Sequence, residues 1–159
     1  HTCAILEGGD VVCWGWNGAG QLGYGNMENV GDDEVPAEMG TVDIGGVAIQ
    51  LSAGKFNTCA VREDGSLLCW GAGGSVPLGY GNDEFVGDDE SPASVGAIAV
   101  GGAVVAVSNG MSHICAVLDT GTIRCWGDNE VGQLGYGDDV EDEIGDDEVP
   151  ASLCEVPVM

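Results

Sequence analysis

Apolar residues in this chain fall into short runs bounded by turn residues, and the same run returns at a fixed interval. The segment from Cys115 to Gly127, CAVLDTGTIRCWG, has counterparts from Cys59 to Gly71 and from Cys3 to Gly15. Cys3, Cys59 and Cys115 stand 56 residues apart, and so do Cys13, Cys69 and Cys125. In the third copy Cys115 and Val117 point to one side of an extended strand, Ala116 and Leu118 to the other. Strands apolar on both faces belong to a sheet covered on both faces. Three residues, such as Asp119-Thr120-Gly121, suffice for the turn between the arms. Gly9, Gly65 and Gly121 then fall where a three-residue hairpin wants a left-handed residue. A period of this size marks a repeat architecture, in which each unit buries its faces against its neighbours.

Each copy runs through four parts. The hairpin is followed by a glycine-rich turn region (15–25, 71–81 and 127–137), which contains Leu-Gly-Tyr-Gly in every copy. An acidic loop comes next, then a Pro-Ala step at Pro36, Pro92 and Pro150. Last is a Val/Ile-rich pair of segments read as short strands: 42–44 with 47–51, and 98–100 with 104–107. No stretch shows a helical period, and 29 glycines favour tight turns over helices. The chain therefore reads as all-β, an array of small sheets forming one repeat domain over 1–159. Its units are about 1–56, 57–112 and an incomplete 113–159.

The three-residue turn sets the two cysteines of each copy opposite one another. Cross-strand disulfides Cys3–Cys13, Cys59–Cys69 and Cys115–Cys125 fit that placement, against the alternative of reduced, buried thiols. Each would contribute about 3 kcal/mol in the chain-entropy model. Paired cysteines point to an oxidising, extracellular or periplasmic setting. Cys154 lies outside the pairs, where Gly40 and Gly96 stand in the other copies. A leftover cysteine suggests an intermolecular bond or a free thiol.

Lys55, Arg62 and Arg124 are the only basic residues against 27 acidic ones, giving a formal charge of −24. That composition argues against nucleic acid, whose binding depends on Lys and Arg meeting phosphates, and disfavours anionic membranes. No apolar run approaches the length of a membrane span. The acids suggest a cation partner or simple solubility.

Cys-Trp-Gly, then Gly132-Gln133-Leu134-Gly135-Tyr136-Gly137, then a Pro and a Val-rich strand leading into Gly110-Met111-Ser112-His113, resembles the RCC1 repeat. The resemblance covers essentially the whole chain in three copies. It implies a β-propeller with one four-stranded blade per repeat, so three blades form an open array or part of a larger propeller. The cysteine pairs and the Gly-Asp-Asp-Glu loop resemble a secreted bacterial branch. Copy two departs from the pattern with Ser75-Val76-Pro77 before Leu78. Copy three carries two extra residues in its acidic loop. Function transfers poorly from this family, whose members include exchange factors, enzyme inhibitors and interaction platforms.

Three acidic triads follow a glycine at equivalent positions: Asp32-Asp33-Glu34, Asp88-Asp89-Glu90 and Asp146-Asp147-Glu148. Further oxygen donors precede each: Asn26 and Glu28; Asn82, Asp83 and Glu84; Asp138, Asp139, Glu141, Asp142 and Glu143. Carboxylates and amide oxygens clustered in a Gly-containing loop suit Ca²⁺. The alternative is a solvated loop whose acids cap local turns. The spacing is not that of an EF-hand. His1 and His113 share a repeat position with Asn57, which favours a hydrogen-bonding role. Gly18-Ala19-Gly20-Gln21-Leu22-Gly23 matches Gly-x-Gly-x-x-Gly but lacks the strand–helix context of a dinucleotide site. Trp14, Trp70 and Trp126 read as core between blades, and Trp16, without counterpart, as a surface residue. No catalytic constellation is visible.

These features predict a non-enzymatic extracellular structural or interaction module. The chain begins on a hairpin without the Val-rich strand that precedes the other hairpins. Its expected partners are further repeats or other copies of itself, joined head to tail into a filament or array. The alternative is a protein-binding propeller segment, inhibitor or adhesin-like scaffold of a longer secreted chain. An exposed aromatic cluster at loop tips would favour that alternative.

Overall fold

The computed structural model describes residues 1–74, 77–137 and 143–158. Its strands are β1 (Thr2–Ile5), β2 (Val11–Trp14), β3 (Ala48–Ala53), β4 (Asn57–Arg62), β5 (Leu67–Gly71), β6 (Val104–Asn109), β7 (His113–Leu118), β8 (Ile123–Asp128) and β9 (Glu143–Ile144). They form three antiparallel sheets, ordered β1-β2, β3-β4-β5 and β6-β7-β8-β9.

The repeated hairpins are β1–β2, β4–β5 and β7–β8. Each turn closes in three residues, with Leu6 N–H donating to Asp10 O, Arg62 N–H to Ser66 O and Leu118 N–H to Thr122 O. The last turn residue is Gly9, Gly65 or Gly121, at φ +89°, +81° and +85°, where a side chain would be strained. This turn fixes the register, so Cys3 faces Cys13, Cys59 faces Cys69 and Cys115 faces Cys125. All three pairs are joined as disulfides, with Cα atoms 4.0 to 4.1 Å apart.

A fourth strand is built only in the third sheet, among the described residues, where β9 pairs Gly127 with Ile144. In the other two, single bridges Gly15–Val30 and Gly71–Val86 occupy that place. The rest of the outer edge is satisfied piecemeal. Along β5, Leu67 O accepts from Ile98 N–H at 2.8 Å. The Tyr80 hydroxyl then donates to Cys69 O (3.1 Å) and accepts from Cys69 N–H (3.3 Å). Tyr24 serves Cys13 and Tyr136 serves Cys125 in the same way. Val42 and Val156 take the part of Ile98, donating to Val11 O and Ile123 O.

Two expectations change here. The segments 42–44 and 98–100 are not strands: they touch the sheet through one such bond each. Their side chains Val42, Ile44, Ile98 and Val100 are buried all the same, so an apolar run reported burial and not a ladder. The Pro-Ala steps, read as non-helical, form single helical turns at Pro36–Glu38, Pro92–Val95 and Pro150–Ser152. Proline suits the first helical position because no intrahelical partner is lost there. Ala93 N–H donates to Asp43 O and Ala151 N–H to Ala99 O, tying the second and third steps to the preceding repeat.

The sheets stack face to face. On β4, Thr58 and Ala60 face the first repeat, where Thr58 Oγ1 donates to Gln21 O at 2.8 Å. Cys59, on the other side of the strand, faces the third repeat, where Asn109 Nδ2 lies 3.4 Å from its Sγ. Both faces of the middle hairpin are buried, which is why its apolar residues fill both alternating sets.

Candidate functional site

The feature that recurs with most detail is the joint between one repeat and the next. Trp70 of the second repeat is fully buried against the glycine-rich turn of the first. A methyl group built at Gly23 would stand 2.8 Å from Trp70 Nε1, so only glycine admits the indole. Gly79 and Trp126 repeat this contact, also at 2.8 Å. The acidic loop of the second repeat lies on the same turn: Gly25 N–H donates to Gly87 O, and Gly20 faces the Gly87–Asp88 peptide. In the third repeat, Asp147 and Glu148 come up against Gly81. Each joint is thus a tryptophan and an acidic loop seated on glycines of the preceding repeat.

Within the glycine-rich turn, Asn17 Oδ1 accepts from Leu22 N–H and Gly20 N–H donates to Asn17 O. Asn129 does the same for Leu134 and Gly132. The Gly-x-Gly-x-x-Gly segment is therefore a turn that receives the neighbouring blade. Sequence reasoning misses these tyrosine and asparagine roles. The only signal in the sequence is their recurrence, which does not say what a side chain touches.

The acidic triads are brought together as the sequence suggests. In Asp32-Asp33-Glu34, Asp88-Asp89-Glu90 and Asp146-Asp147-Glu148 one carboxylate oxygen from each residue lies within 4.8 Å of the others. Glu34, Glu90 and Glu148 also accept from the N–H of Gly31, Gly87 and Gly145, closing each loop on itself. The packing of the acids shows in their titration. The Glu34 carboxyl is raised above the ordinary range chiefly by its hydrogen bond with Asp33. Glu90 and Glu148 are raised first by burial against the preceding repeat, then by Asp89 and Asp147. Of the further donors, Asn26 Oδ1 and Asn82 Oδ1 accept from Glu28 N–H and Glu84 N–H, so they build local turns. Glu28 is exposed. Asp83 and Glu84 line an open cleft of about 850 Å³ with the second triad and Tyr80. Asp138, Asp139, Glu141, Asp142 and the side chain of Glu143 lie outside the described residues, as do Ser75 and Val76. Oxygen donors so close together fit a hard cation such as Ca²⁺ in kind.

The remaining candidates take structural places. His1 Nε2 lies 2.8 Å from Thr58 Oγ1, and Asn57 Oδ1 accepts from Asn109 Nδ2 at 3.0 Å. His113 packs on Gly110. Cys154 is an exposed free thiol. Trp14 is only half-buried, whereas Trp70 and Trp126 are fully so. Trp16 is 48% exposed and stacks obliquely on Phe56, centroids 5.6 Å apart, with Lys55 Nζ 4.6 Å above the Phe56 ring. No helix among the described residues is long and apolar enough to cross a membrane.

Sheets stacked in sequence through such joints are consecutive blades of a β-propeller. A family model described as the regulator of chromosome condensation (RCC1) repeat matches residues 1–21, 48–75 and 104–133. The chain belongs to the RCC1-repeat proteins. It is 36% identical over 147 residues to the ultraviolet-B receptor UVR8 of Arabidopsis thaliana, covering 91% of this chain and 31% of the receptor. It is 28% identical over 138 residues to the human E3 ubiquitin-protein ligase HERC2, covering 86% of this chain and 3% of the ligase. Among solved structures, yeast RCC1 (Prp20), bound to Kap60, superposes with a TM-score of 0.71 at 20% identity, covering 92% of this chain and 34% of that one. Human WBSCR16 gives 0.71 at 23%, covering 91% and 34%. The chain thus spans about a third or less of these relatives.

Proposed function

We propose that this segment is a non-enzymatic structural and interaction module that works outside the cell, joining like repeats head to tail into a filament or longer array. The observation that carries this reading is the joint. Both of its halves recur from repeat to repeat, so the same joint can be made again with a further repeat or another copy. Three disulfides in hairpin register support an oxidising compartment. The exposed Cys154 thiol is available to cross-link copies.

Ca²⁺ at the acidic triads is the second component of the reading. A cation there would relieve carboxylate repulsion that folding otherwise opposes, and binding to the folded state alone raises its stability by mass action. Thermal melts with Ca²⁺ and with chelator test this: the expected result is a clearly higher Tm with Ca²⁺, reduced when all three triads carry Asn and Gln. Identical melts would leave the triads as solvated loops. Electron microscopy of the purified chain, searching for linear particles, tests the assembly itself.

One observation favours a second reading, a protein-binding segment of a longer secreted chain. Exposed Trp16 and Lys55 form a patch with half-buried Phe56, bearing the only lysine of a strongly acidic molecule. Aromatic residues are enriched where interfaces draw their energy. Trp16→Ala should weaken capture of such a partner while leaving the melting temperature within about 2 °C, since surface changes cost little.

A further inference from the structure

The three sheets share an end surface, formed where strand connections meet. In the second repeat the turn 54–56 joins β3 to β4, and Phe56 O accepts from Ala72 N–H just past β5. In the third, Ser112 O accepts from Asp128 N–H at the end of β8. Trp16 is the first-repeat counterpart of Ala72; it lies over Gly18 and reaches across to the Phe56 ring. A methyl group at Gly54 would stand 3.1 Å from Gly110 O, so the turns 54–56 and 110–112 touch. Trp16, Phe56 and Met111, the last 68% exposed, thereby form an apolar row across all three repeats.

This surface lies at the strand ends and not on a blade face. Trp16 leans toward the second repeat, so its exposure is that of a residue with this neighbour in place. Lys55, the counterpart of Met111, is exposed with a repeat packed on either side of its own. Carboxylates border the row. Asn17 N–H donates to Asn29 Oδ1, which brings exposed Glu28 to the Trp16 end, and Asp128 stands at the third-repeat end. In between, Gly73 packs on the carbonyls of Asp83 and Glu84. These two acids line the cleft of about 850 Å³, whose apolar side is exposed Phe85 and Val95.

Resting on the second reading above, we propose that this end surface binds a basic, apolar segment of a partner protein. Apolar side chains of that segment would lie along Trp16, Phe56 and Met111, and a Lys or Arg side chain would enter the cleft beside Asp83, Glu84 and Phe85. An exposed apolar patch with a polar border is the ordinary form of a protein contact site. The row alone would accept any apolar partner, and the carboxylate border makes the choice among them. In a molecule of charge −24 an acidic segment is repelled, while a basic one is drawn in and oriented. Lys55 does not reverse this, because it is a single cation lying 4.6 Å from the Phe56 ring centroid.

The test is fluorescence polarisation of the purified chain with short labelled peptides that alternate Lys with Leu, Lys with Gly, or Glu with Leu. The Lys/Leu peptide should bind about tenfold more tightly than Lys/Gly, which lacks the apolar contacts, and Glu/Leu should not bind. Raising salt from about 0.1 M to about 1 M shortens the screening length from about 10 Å to about 3 Å and should weaken the Lys/Leu complex. Trp16→Ala should weaken it about tenfold, and Glu84→Gln should weaken it less. Asp10→Asn, in the hairpin turn at the opposite end of β2, should leave the affinity unchanged. All three variants sit at exposed positions, and thermal melts check that each is folded. If Lys/Gly binds as tightly as Lys/Leu, or Asp10→Asn weakens binding as much as Glu84→Gln, the attraction is that of net charge alone and the proposal is overturned. If Glu/Leu binds as well as Lys/Leu and Trp16→Ala weakens it, the partner class is wrong while the second reading stands. If Trp16→Ala changes the binding of no peptide, both fall.

Discussion

The second and third hairpins share seven of thirteen residues and the same register, yet they live in different surroundings. Cys59, Val61 and Leu67 are fully buried, whereas Cys115, Val117 and Ile123 are only half-buried. The difference is that the third repeat packs on the second hairpin, whereas no described residue packs in the same way on the third. Burial in this molecule is therefore a property of neighbours more than of a residue's own strand. Stability in such an array is close to a sum of intrinsic repeat terms and nearest-neighbour joints. Matched pairs of positions, one inside a joint and one outside, separate these two contributions.

The largest contrast is expected at the tryptophans. Trp70→Ala should cost about 3–5 kcal/mol in denaturant unfolding, the range for emptying a buried aromatic site. Trp14→Ala, at a half-covered face, should cost about 1–2 kcal/mol, in proportion to the area it hides. Equal losses would mean that the joint adds nothing to the blade.

Next come two acidic-loop glycines with similar backbones, Gly87 at φ +92° and Gly31 at φ +99°. Alanine strains both by about 1–2 kcal/mol. At Gly87 the added methyl would also stand 2.6 Å from Gly20 O, while at Gly31 it meets nothing within 4 Å. The clash should add about 1–3 kcal/mol to Gly87→Ala alone. Chemical denaturation of the two single variants reads the difference directly.

A smaller effect is expected from the tyrosines. Burial pushes the Tyr80 hydroxyl up to about 12, and it is the hydrogen-bond partner of Cys69 N–H and O on the outer edge. Tyr80→Phe strands both groups and should cost about 1–3 kcal/mol. Tyr136→Phe, at the less covered end blade, should cost less because water can replace the hydroxyl.

The smallest effect concerns pH. Glu34, Glu90 and Glu148 hold their protons more tightly folded than unfolded. The folded state therefore gains stability as pH falls from neutral through their raised values, and the gain levels off below the ordinary value of 4.5. Thermal melts between pH 7 and that value should show Tm rising on mild acidification. Glu90→Gln should flatten the rise; an unchanged slope would remove the triad from the account.

The period of 56 and the cysteine spacing make the blade unit, the hairpins and their register readable from the sequence. A short hairpin loop dictates its own pairing, so residues ten apart suffice to set Cys59 opposite Cys69. The joints are not readable in that way. Gly23 meets Trp70 and Gly20 meets Asp88 across repeat boundaries, and a regular spacing does not say which copy a residue leans on. The outer edge is misread for a related reason. Val42 and Ile98 are apolar because they are buried, and burial alone does not distinguish a strand from a segment touching the sheet at one point. The triads are legible as loops, since consecutive acids after a glycine need no long-range information to come together.

The piecemeal outer edge also bears on what the sheets can pair with. A bare sheet edge is a template for strands of other chains and a route to aggregation. Along β5, backbone groups on that edge are taken in turn by Ile98, by the Tyr80 hydroxyl and by Val86. A phenol cannot be extended into a ladder, and acidic loops flank the same rim. Strand-by-strand growth outward is thus discouraged at this edge.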